Sequence, residues 1–257
     1  MSQKNSPKLW QNLLPIPDKN SHKYERGHAV ILASDSLTGA TRLATDACSR
    51  MGAGLVSVVA HEKGDVYRAT LSADIMVTEE APENLKKVTA ILGGCGGLPE
   101  ELRPYLYNKT YDVVRVFDAN AIPLTDQWAV LDENCILTPH EGEFVYVFGE
   151  ITGSREEVAL DAAQKTGAIV VLKGGETIIA APDGRVVINE HASPYLAKAG
   201  TGDVLAGMIA GLAAQGVRPF EAACAAIWIH GEAGLQIGSG LVAGDIINTL
   251  PAVLKKL

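Results

Sequence analysis

The chain has 257 residues, of which 47% are hydrophobic, and this size and composition allow it to bury a substantial core in one domain. The formal net charge of -8 excludes a general attraction to phosphate polymers, so we expect no nucleic-acid partner. Gly, Asp or Lys interrupts the apolar runs, and the N-terminal stretch has no long apolar core, so we expect neither a membrane span nor a secreted protein.

Short β-rich apolar runs follow a polar, Pro-containing arm over residues 1–23. The runs are HAVILAS, LVSVVA, ADIMVT, VTAILGG, VVRVFDA, CILTP and AIVVLKGG. They alternate with longer helix-like segments, which is typical of parallel strands joined by crossover helices. We therefore expect an α/β fold whose doubly wound, mostly parallel sheet carries helices on both faces. No linker or repeat divides the chain, so residues 1–257 are predicted to form one domain.

The later part of the chain changes character. The runs TIIAAP and RVVINE flank Asp183-Gly184, and a DG dipeptide between β-branched runs predicts a small antiparallel hairpin at the sheet edge. From Asp203 onward the pattern is helical, with one segment that closes on Gly216, one that begins at Pro219 and one over residues 245–256. His230 lies in an apolar helical segment and is interpreted as a packed core histidine.

The four cysteines are widely spaced and form no CxxC pair. They are Cys48, Cys95, Cys135 and Cys224. This spacing suits neither a zinc knuckle nor a dense disulfide framework, so we expect buried, reduced thiols in a cytoplasmic protein.

The most informative motif is the Gly-rich turn over residues 197–203, AKAGTGD, which leads directly into an apolar helix. Small residues let backbone N–H groups approach an anion, and the helix N-terminus adds partial positive charge, so the turn predicts a phosphate site. Asp203 at its mouth could accept a proton from a hydroxyl that attacks phosphorus. The alternative is that Asp203 only caps the helix.

Several ordered motifs carry a resemblance to a known family. GTGDVLAG, preceded by KGGETIIAAPDGRVVIN, TPHEGEF and LTGATRLATDACSRMGAGLVSV, resembles the ADP/ATP-dependent NAD(P)H-hydrate dehydratase family, which has a ribokinase-like fold. The resemblance runs from about Trp10 to the C-terminus. Ordered motifs along one chain are more specific than any one of them alone.

The resemblance implies two groups of site residues. The residues implied to bind the nucleotide are Lys173, Gly174, Gly175, Glu176, Thr177, Gly200, Thr201 and Gly202. Those implied to contact the hydrated nicotinamide substrate are Ala40, Gly96, His140 and Asp203, and Asp203 is also the implied catalytic acid-base. Glu143 stands where related enzymes hold Mg²⁺ through water.

Each of these assignments has a plainer alternative. Lys173 could be a solvated residue at a strand end, His140 a loop histidine bonded to backbone, and Glu143 a first-turn acid that complements the helix dipole. Asp118 resembles the family's Asp-Ala pair, but an Asp that leaves a strand is often a turn residue, so it is not placed in the catalytic set.

The sequence departs from the family pattern in two loops. Residues 93–98 read GGCGGL where the family usually has Gly-Pro-Gly-Leu-Gly, and residues 33–36 read ASDS where Gly-Gly-Ser is typical. The extra glycine predicts a looser loop. Segment 238–243 fits GxGxxA but follows a helical segment, so it is not interpreted as a dinucleotide fingerprint.

The resemblance implies that the protein dehydrates the S form of NADHX or NADPHX, the hydrated cofactors, with ADP or ATP as co-substrate and with Mg²⁺. It also implies a homo-oligomer and a separate NAD(P)HX epimerase as functional partner. One alternative is a kinase of a small, vitamin-like alcohol, against which stands His140, since ribokinase-like kinases generally carry Asn there. The other alternative is a nucleotide-binding or NAD(P)-binding regulator without turnover.

Overall fold

The computed structural model describes residues 2–257, and its centre is one ten-stranded sheet. The strands are β1 Gln3–Lys4, β2 His28–Leu32, β3 Leu55–Val59, β4 Met76–Thr78, β5 Val88–Gly93, β6 Val114–Phe117, β7 Cys135–Leu137, β8 Ile169–Leu172, β9 Thr177–Ala180 and β10 Val186–Asn189. Their order is β1-β10-β9-β8-β7-β6-β5-β2-β3-β4. Only β9 runs antiparallel to its neighbours among the described strands. The mostly parallel sheet is confirmed.

Helices cover both faces of the sheet, as expected for a doubly wound fold. They are α1 Thr38–Arg50, α2 Gly64–Thr70, α3 Arg103–Tyr107, α4 Glu141–Phe148, α5 Arg155–Thr166, α6 Thr201–Ala214, α7 Pro219–Ile237 and α8 Ala243–Leu254. Helices α1, α6, α7 and α8 belong to one apolar core, and α4 and α5 belong to the other. The two cores lie on opposite faces of β2 and β5 to β8, whose side chains alternate between them.

The tightest helix contact joins α1 to α6. A Cβ on Gly207 would lie 2.1 Å from the carbonyl oxygen of Ala44, so only glycine permits this approach. Because α6 carries the Gly-rich turn at its start, the contact fixes that turn against the loop before α1.

The predicted hairpin is confirmed, with β9 and β10 paired antiparallel across Asp183-Gly184. It does not form the outermost edge, because β1 from the N-terminal arm pairs with β10. Trp10 of the arm is only 1% exposed, and Asn5 donates to Asn189 Oδ1 at 2.9 Å. A two-residue strand is too short to leave a signal in the sequence, so the arm is more ordered than its polarity indicates.

Other expectations are also confirmed. All four cysteines are buried and unpaired. His230 is buried in α7, where its Nε2 lies 3.0 Å from the carbonyl oxygen of Thr201. Segment 238–243 joins two helices rather than a strand and a helix. Across residues 2–257 no helix combines the length and the apolar character needed to cross a membrane.

Candidate active site

The candidate site lies at the carboxyl ends of the central strands. The chain continues from β2 to β3 on one side, whereas β5 pairs on the other side of β2, so the strand order reverses between β2 and β5. Ligands of doubly wound sheets bind in the crevice outside the carboxyl ends at such a point. The loops that follow β2, β5, β6, β7 and β8 all meet here.

Helix α6 begins at the Gly-rich turn. Gly200 is its N-cap, with φ of 91° in the left-handed region, and no side chain among residues 2–257 caps this helix start. Asp203 is the third residue of the helix rather than its N-cap. The Thr201 hydroxyl is engaged by the turn itself, since it donates to the carbonyl oxygens of Leu196 and Lys198, both at 2.8 Å.

The carboxylate of Asp203 faces a buried cluster from other strand ends. Single ligand atoms of Cys95, Asp118 and Asp203 all lie within 4.8 Å of one another. Lys173 Nζ donates to Asp118 Oδ1 at 3.1 Å, and Thr138 Oγ1 donates to the same oxygen at 2.6 Å. Asp118 is only 4% exposed, so its charge is held by these partners.

This environment changes the proton affinity of each group. Burial, followed by the negative charge of Asp118, raises the pKa of Asp203 to about 6. Burial alone would lower the pKa of Lys173, but the carboxylates of Asp118 and Glu143 more than offset it, so that pKa is raised. Burial raises the pKa of Cys95 well above its usual range, and the thiol stays protonated. The site thus holds a fixed ammonium beside a carboxyl group poised near neutral pH.

A cavity of about 760 Å³ lies on the other side of the α6 turn. His140 lines this cavity. So do six of the residues implied to bind a nucleotide: Lys173, Gly174, Gly175, Thr177, Thr201 and Gly202. Lys173 connects the cavity to the acid cluster, because its Nζ lies 3.5 Å from the position of a Cβ on Gly202. Lys173 is ion-paired and mostly buried rather than solvated. Glu176 and Gly200 are not part of the lining.

His140 and Glu143 close the start of α4 in a reciprocal arrangement. His140 is the N-cap: its Nδ1 accepts from the backbone N–H of Glu143 at 3.2 Å, and its own backbone N–H donates to Glu143 Oε2 at 2.8 Å. The plainer interpretations of both residues are therefore present in the structure. They leave His140 Nε2 and Glu143 Oε1, which lie 3.4 Å apart, as the atoms available to a ligand.

The two loops that depart from the family pattern are joined by hydrogen bonds. Ser34 Oγ donates to the carbonyl oxygen of Gly96 at 2.7 Å, and Thr41 Oγ1 donates to that of Cys95 at 3.0 Å. A Cβ on Gly96 would lie 2.9 Å from Ala40 Cβ, so these two implied substrate residues are in contact. Ser36 of the altered segment also donates to the carbonyl oxygen of Gly96, at 3.2 Å, and the expectation of a looser loop stays a prediction.

Comparison with known proteins decides the family. The profile of the NAD(P)H-hydrate dehydratase family matches residues 28–250, which include every strand from β2 onward. The chain belongs to the NAD(P)H-hydrate dehydratase family.

Two members of the NAD(P)H-hydrate dehydratase family show how similar the chain is to known enzymes and how much of their length it covers. The ADP-dependent (S)-NAD(P)H-hydrate dehydratase of Neisseria meningitidis is 34% identical over 89% of this chain and 85% of its own length. The bifunctional NAD(P)H-hydrate repair enzyme Nnr of Moorella thermoacetica is also 34% identical, over 95% of this chain but 52% of its own length. The chain thus spans about half the length of the bifunctional relatives that it matches.

A solved structure of the NAD(P)H-hydrate dehydratase family has the same fold. The ADP/ATP-dependent NAD(P)H-hydrate dehydratase of Bacillus subtilis, co-crystallized with ATP and Mg²⁺, superposes with a TM-score of 0.83 at 31% identity, covering 95% of this chain and 94% of that one. The ribokinase-like fold expected from the sequence is confirmed.

Two features of this NAD(P)H-hydrate dehydratase family member escaped the sequence analysis. Asp118 was left outside the catalytic set, although it pairs with Lys173 and raises the pKa of Asp203. His230 lines the cavity of about 760 Å³ as well as packing in α7. A signal for Asp118 existed in the Asp-Ala pair at the end of a strand, but nothing in the sequence distinguishes His230 from any packed histidine.

Proposed function

We propose that the protein dehydrates the S form of NADHX or NADPHX to NADH or NADPH, while ADP or ATP is hydrolysed to AMP or ADP and phosphate. One observation carries the proposal. Consecutive residues of α6 face two different parts of the site. Gly202 lines the cavity of about 760 Å³, called the nucleotide cavity below, while the Asp203 carboxylate lies in the acid cluster with Cys95 and Asp118. A terminal phosphoryl group and a proton acceptor are thereby brought to adjacent positions.

The first step in this proposal is phosphoryl transfer. The ring hydroxyl oxygen of the hydrated nicotinamide attacks the terminal phosphorus, and the bond from that phosphorus to the bridging oxygen of the donor breaks. Asp203 takes the hydroxyl proton, for which a pKa of about 6 is well matched at neutral pH. The backbone amides from Gly200 to Gly202 and the positive end of α6 stabilise charge on the transferring group.

The second step is elimination. The bond from the ring carbon to the phosphate oxygen breaks and phosphate leaves with the electron pair. The neighbouring ring carbon loses a proton to solvent, and its C–H electron pair forms the double bond that restores the dihydronicotinamide. Phosphorylation matters because phosphate is a far better leaving group than hydroxide. His140 is proposed to contact the ring through Nε2, while Ala40 and Gly96 let the ring approach the backbone.

The nucleotide is proposed to bind in the cavity of about 760 Å³. Lys173 contributes a charge near its phosphates, and Gly174, Gly175 and Thr177 also line the cavity. Glu176 and Gly200 are proposed to contribute through their backbone groups in these two turns.

Mg²⁺ fits Glu143 better than the acid cluster. Glu143 Oε2 accepts from His140, which leaves Oε1 to hold a hydrated ion, and a hard cation prefers such an oxygen. The cluster pairs its carboxylates with a cysteine sulfur and an ammonium, which do not suit Mg²⁺. When bound, the ion would neutralise the phosphates of the donor.

The proposal extends to the setting of the enzyme. We propose a cytoplasmic homo-oligomer whose described chain folds as one domain and works beside an NAD(P)HX epimerase. The bifunctional repair enzymes among its relatives support a second repair activity alongside this one. A small-alcohol kinase is disfavoured by His140, and a regulator without turnover is disfavoured by the Lys173, Asp118 and Asp203 cluster.

The decisive experiment incubates the purified protein with S-NADHX, Mg²⁺ and either ADP or ATP. Return of NADH absorbance with matching release of phosphate is the expected result, and the two donors are compared directly. A stable phosphorylated product instead of released phosphate would favour a kinase. Nucleotide binding without any product from either donor would favour a regulator.

A further inference from the structure

A second cavity, of about 500 Å³, lies beside the proposed active site and has no part in the proposed reaction. Its wall includes Asn120, two residues after Asp118 of the acid cluster, and Glu143, the capping partner of His140. His140 itself lines the nucleotide cavity. The start of α4 therefore separates the two cavities.

The orientation of Asp203 determines from which side the substrate approaches. Thr201 and Gly202 face the nucleotide cavity, whereas the Asp203 carboxylate lies with Asp118. A substrate whose reacting hydroxyl meets Asp203 therefore enters along the loop that contains Gly96. That loop borders the second cavity, because the backbone N–H of Leu98 donates to Asn120 Oδ1 at 3.0 Å.

The cavity wall has the chemistry of a site for a neutral ring. Tyr146 is 77% exposed there and Leu124 is 40% exposed, so a flat aromatic surface and an apolar side chain face the opening. Arg103 is already bound by Glu100 through two contacts of 3.1 Å. With this guanidinium neutralised and Glu143 on the same wall, the cavity disfavours a phosphate.

The backbone of the wall is also strained. Ala119 has φ of 47°, a left-handed conformation that residues with a Cβ rarely adopt. Strain of this kind persists where the surrounding structure imposes it and clusters at ligand sites. Here it places Asn120 between the acid cluster and the second cavity.

We propose that this cavity binds the adenosine half of the hydrated dinucleotide, with its purine stacked on Tyr146. The inference rests on the proposed function, since it takes NADHX or NADPHX as the substrate. The neutral purine matches the exposed ring, and the ribose hydroxyls match the side-chain amides of Asn120 and Gln127 on the wall. The phosphates of the substrate remain outside the cavity, along the Gly96 loop.

The test is a binding comparison that does not require turnover. With a non-hydrolysable ATP analogue and Mg²⁺ saturating the nucleotide cavity, calorimetry measures Kd for NADH and for reduced nicotinamide mononucleotide, which lacks the adenosine half. The wild type is expected to bind NADH about tenfold or more tightly than the mononucleotide. Tyr146→Ala is expected to raise Kd for NADH about tenfold and to leave Kd for the mononucleotide unchanged.

Three further variants make the result specific. Tyr146→Phe keeps the ring and should retain NADH affinity. Leu124→Ala changes another residue of the same cavity and should weaken the binding of NADH but not that of the mononucleotide. It replaces Tyr146→Ala as the test if that variant does not fold. Tyr24→Ala removes an aromatic ring just after the N-terminal arm, beside Lys23 and Lys87, and should change neither Kd.

Equal affinities of the wild type for the two ligands, or an equal loss of both in Tyr146→Ala, would overturn the inference. Its failure is separable from that of the proposed function. Recovery of NADH from S-NADHX without a Tyr146 effect would keep the dehydratase and remove the subsite. A Tyr146-dependent preference for NADH without turnover would keep the subsite and remove the dehydratase.

Discussion

Lys173 Nζ lies 3.1 Å from Asp118 Oδ1, at the boundary between the nucleotide cavity and the acid cluster. Their side chains are 19% and 6% exposed, so the pair is largely shielded from water. The pair joins the ends of β8 and β6, and it sets both the position of the cation and the negative charge beside Asp203. Four predictions follow from this arrangement and from Asp203.

Asp203→Asn should lower kcat by about a hundredfold to ten-thousandfold, because it removes the proposed proton acceptor without changing side-chain volume. ADP and ATP should bind as in the wild type, since the Asp203 carboxylate does not line the nucleotide cavity. Steady-state kinetics with S-NADHX and calorimetry with each nucleotide measure the two effects. Near-normal turnover in this variant would remove Asp203 from the mechanism.

The activity should fall on the acid side with an apparent pKa of about 6, since Asp203 must be ionised to accept a proton. The charged and titratable groups that face it are Asp118, Lys173 and Cys95. Asp118→Asn removes the neighbouring negative charge, so the acid limb should move to lower pH by up to about one unit. The measurement is kcat/KM against pH for both proteins, and an unmoved limb would contradict it.

Asp203→Asn should also stabilise the protein above neutral pH. Because its folded-state pKa is raised from 3.8 to about 6, the ionised group destabilises the folded state above pH 6, and the penalty disappears as pH falls below 3.8. Allowing for partial exposure, we expect a gain of about 1–2 kcal/mol at pH 8. Urea unfolding at pH 8 and pH 4 tests the sign, and an equal gain at both would refute this origin.

Lys173→Met should destabilise the protein by about 3 kcal/mol, because it leaves the buried Asp118 carboxylate without its cation. Adding Asp118→Asn should recover most of that loss, since no charge is then left unpaired. Urea unfolding of the two single variants and the double variant gives the coupling free energy.

The matched control for this cycle is Lys165→Met. Lys165 also pairs with an aspartate, Asp161, at 2.6 Å, but both side chains are 59% exposed. Exposed pairs contribute only about 0–1 kcal/mol, so this variant should lose little stability. If Lys173→Met loses no more stability than this control, the buried pair contributes no more to the free energy of unfolding than an exposed one.

Local patterns in the sequence determined much of the fold. The alternation of β-rich runs and helical segments predicted the parallel sheet, and the DG dipeptide predicted the hairpin between β9 and β10. The turn before Asp203 predicted a helix start, and α6 begins there. These features depend on residues only a few positions apart, so the local order of residue types is enough to predict them.

The acid cluster depended on the tertiary structure. Lys173 and Asp118 are 55 residues apart in the chain, and they meet only because β8, β7 and β6 lie side by side with their carboxyl ends together. Spacing along the chain does not determine the order of strands in a sheet, so the sequence analysis interpreted Asp118 as a turn residue. The sequence by itself named Asp203 and Lys173, while the packing of distant strands decided the charges that surround them and the pKa that results.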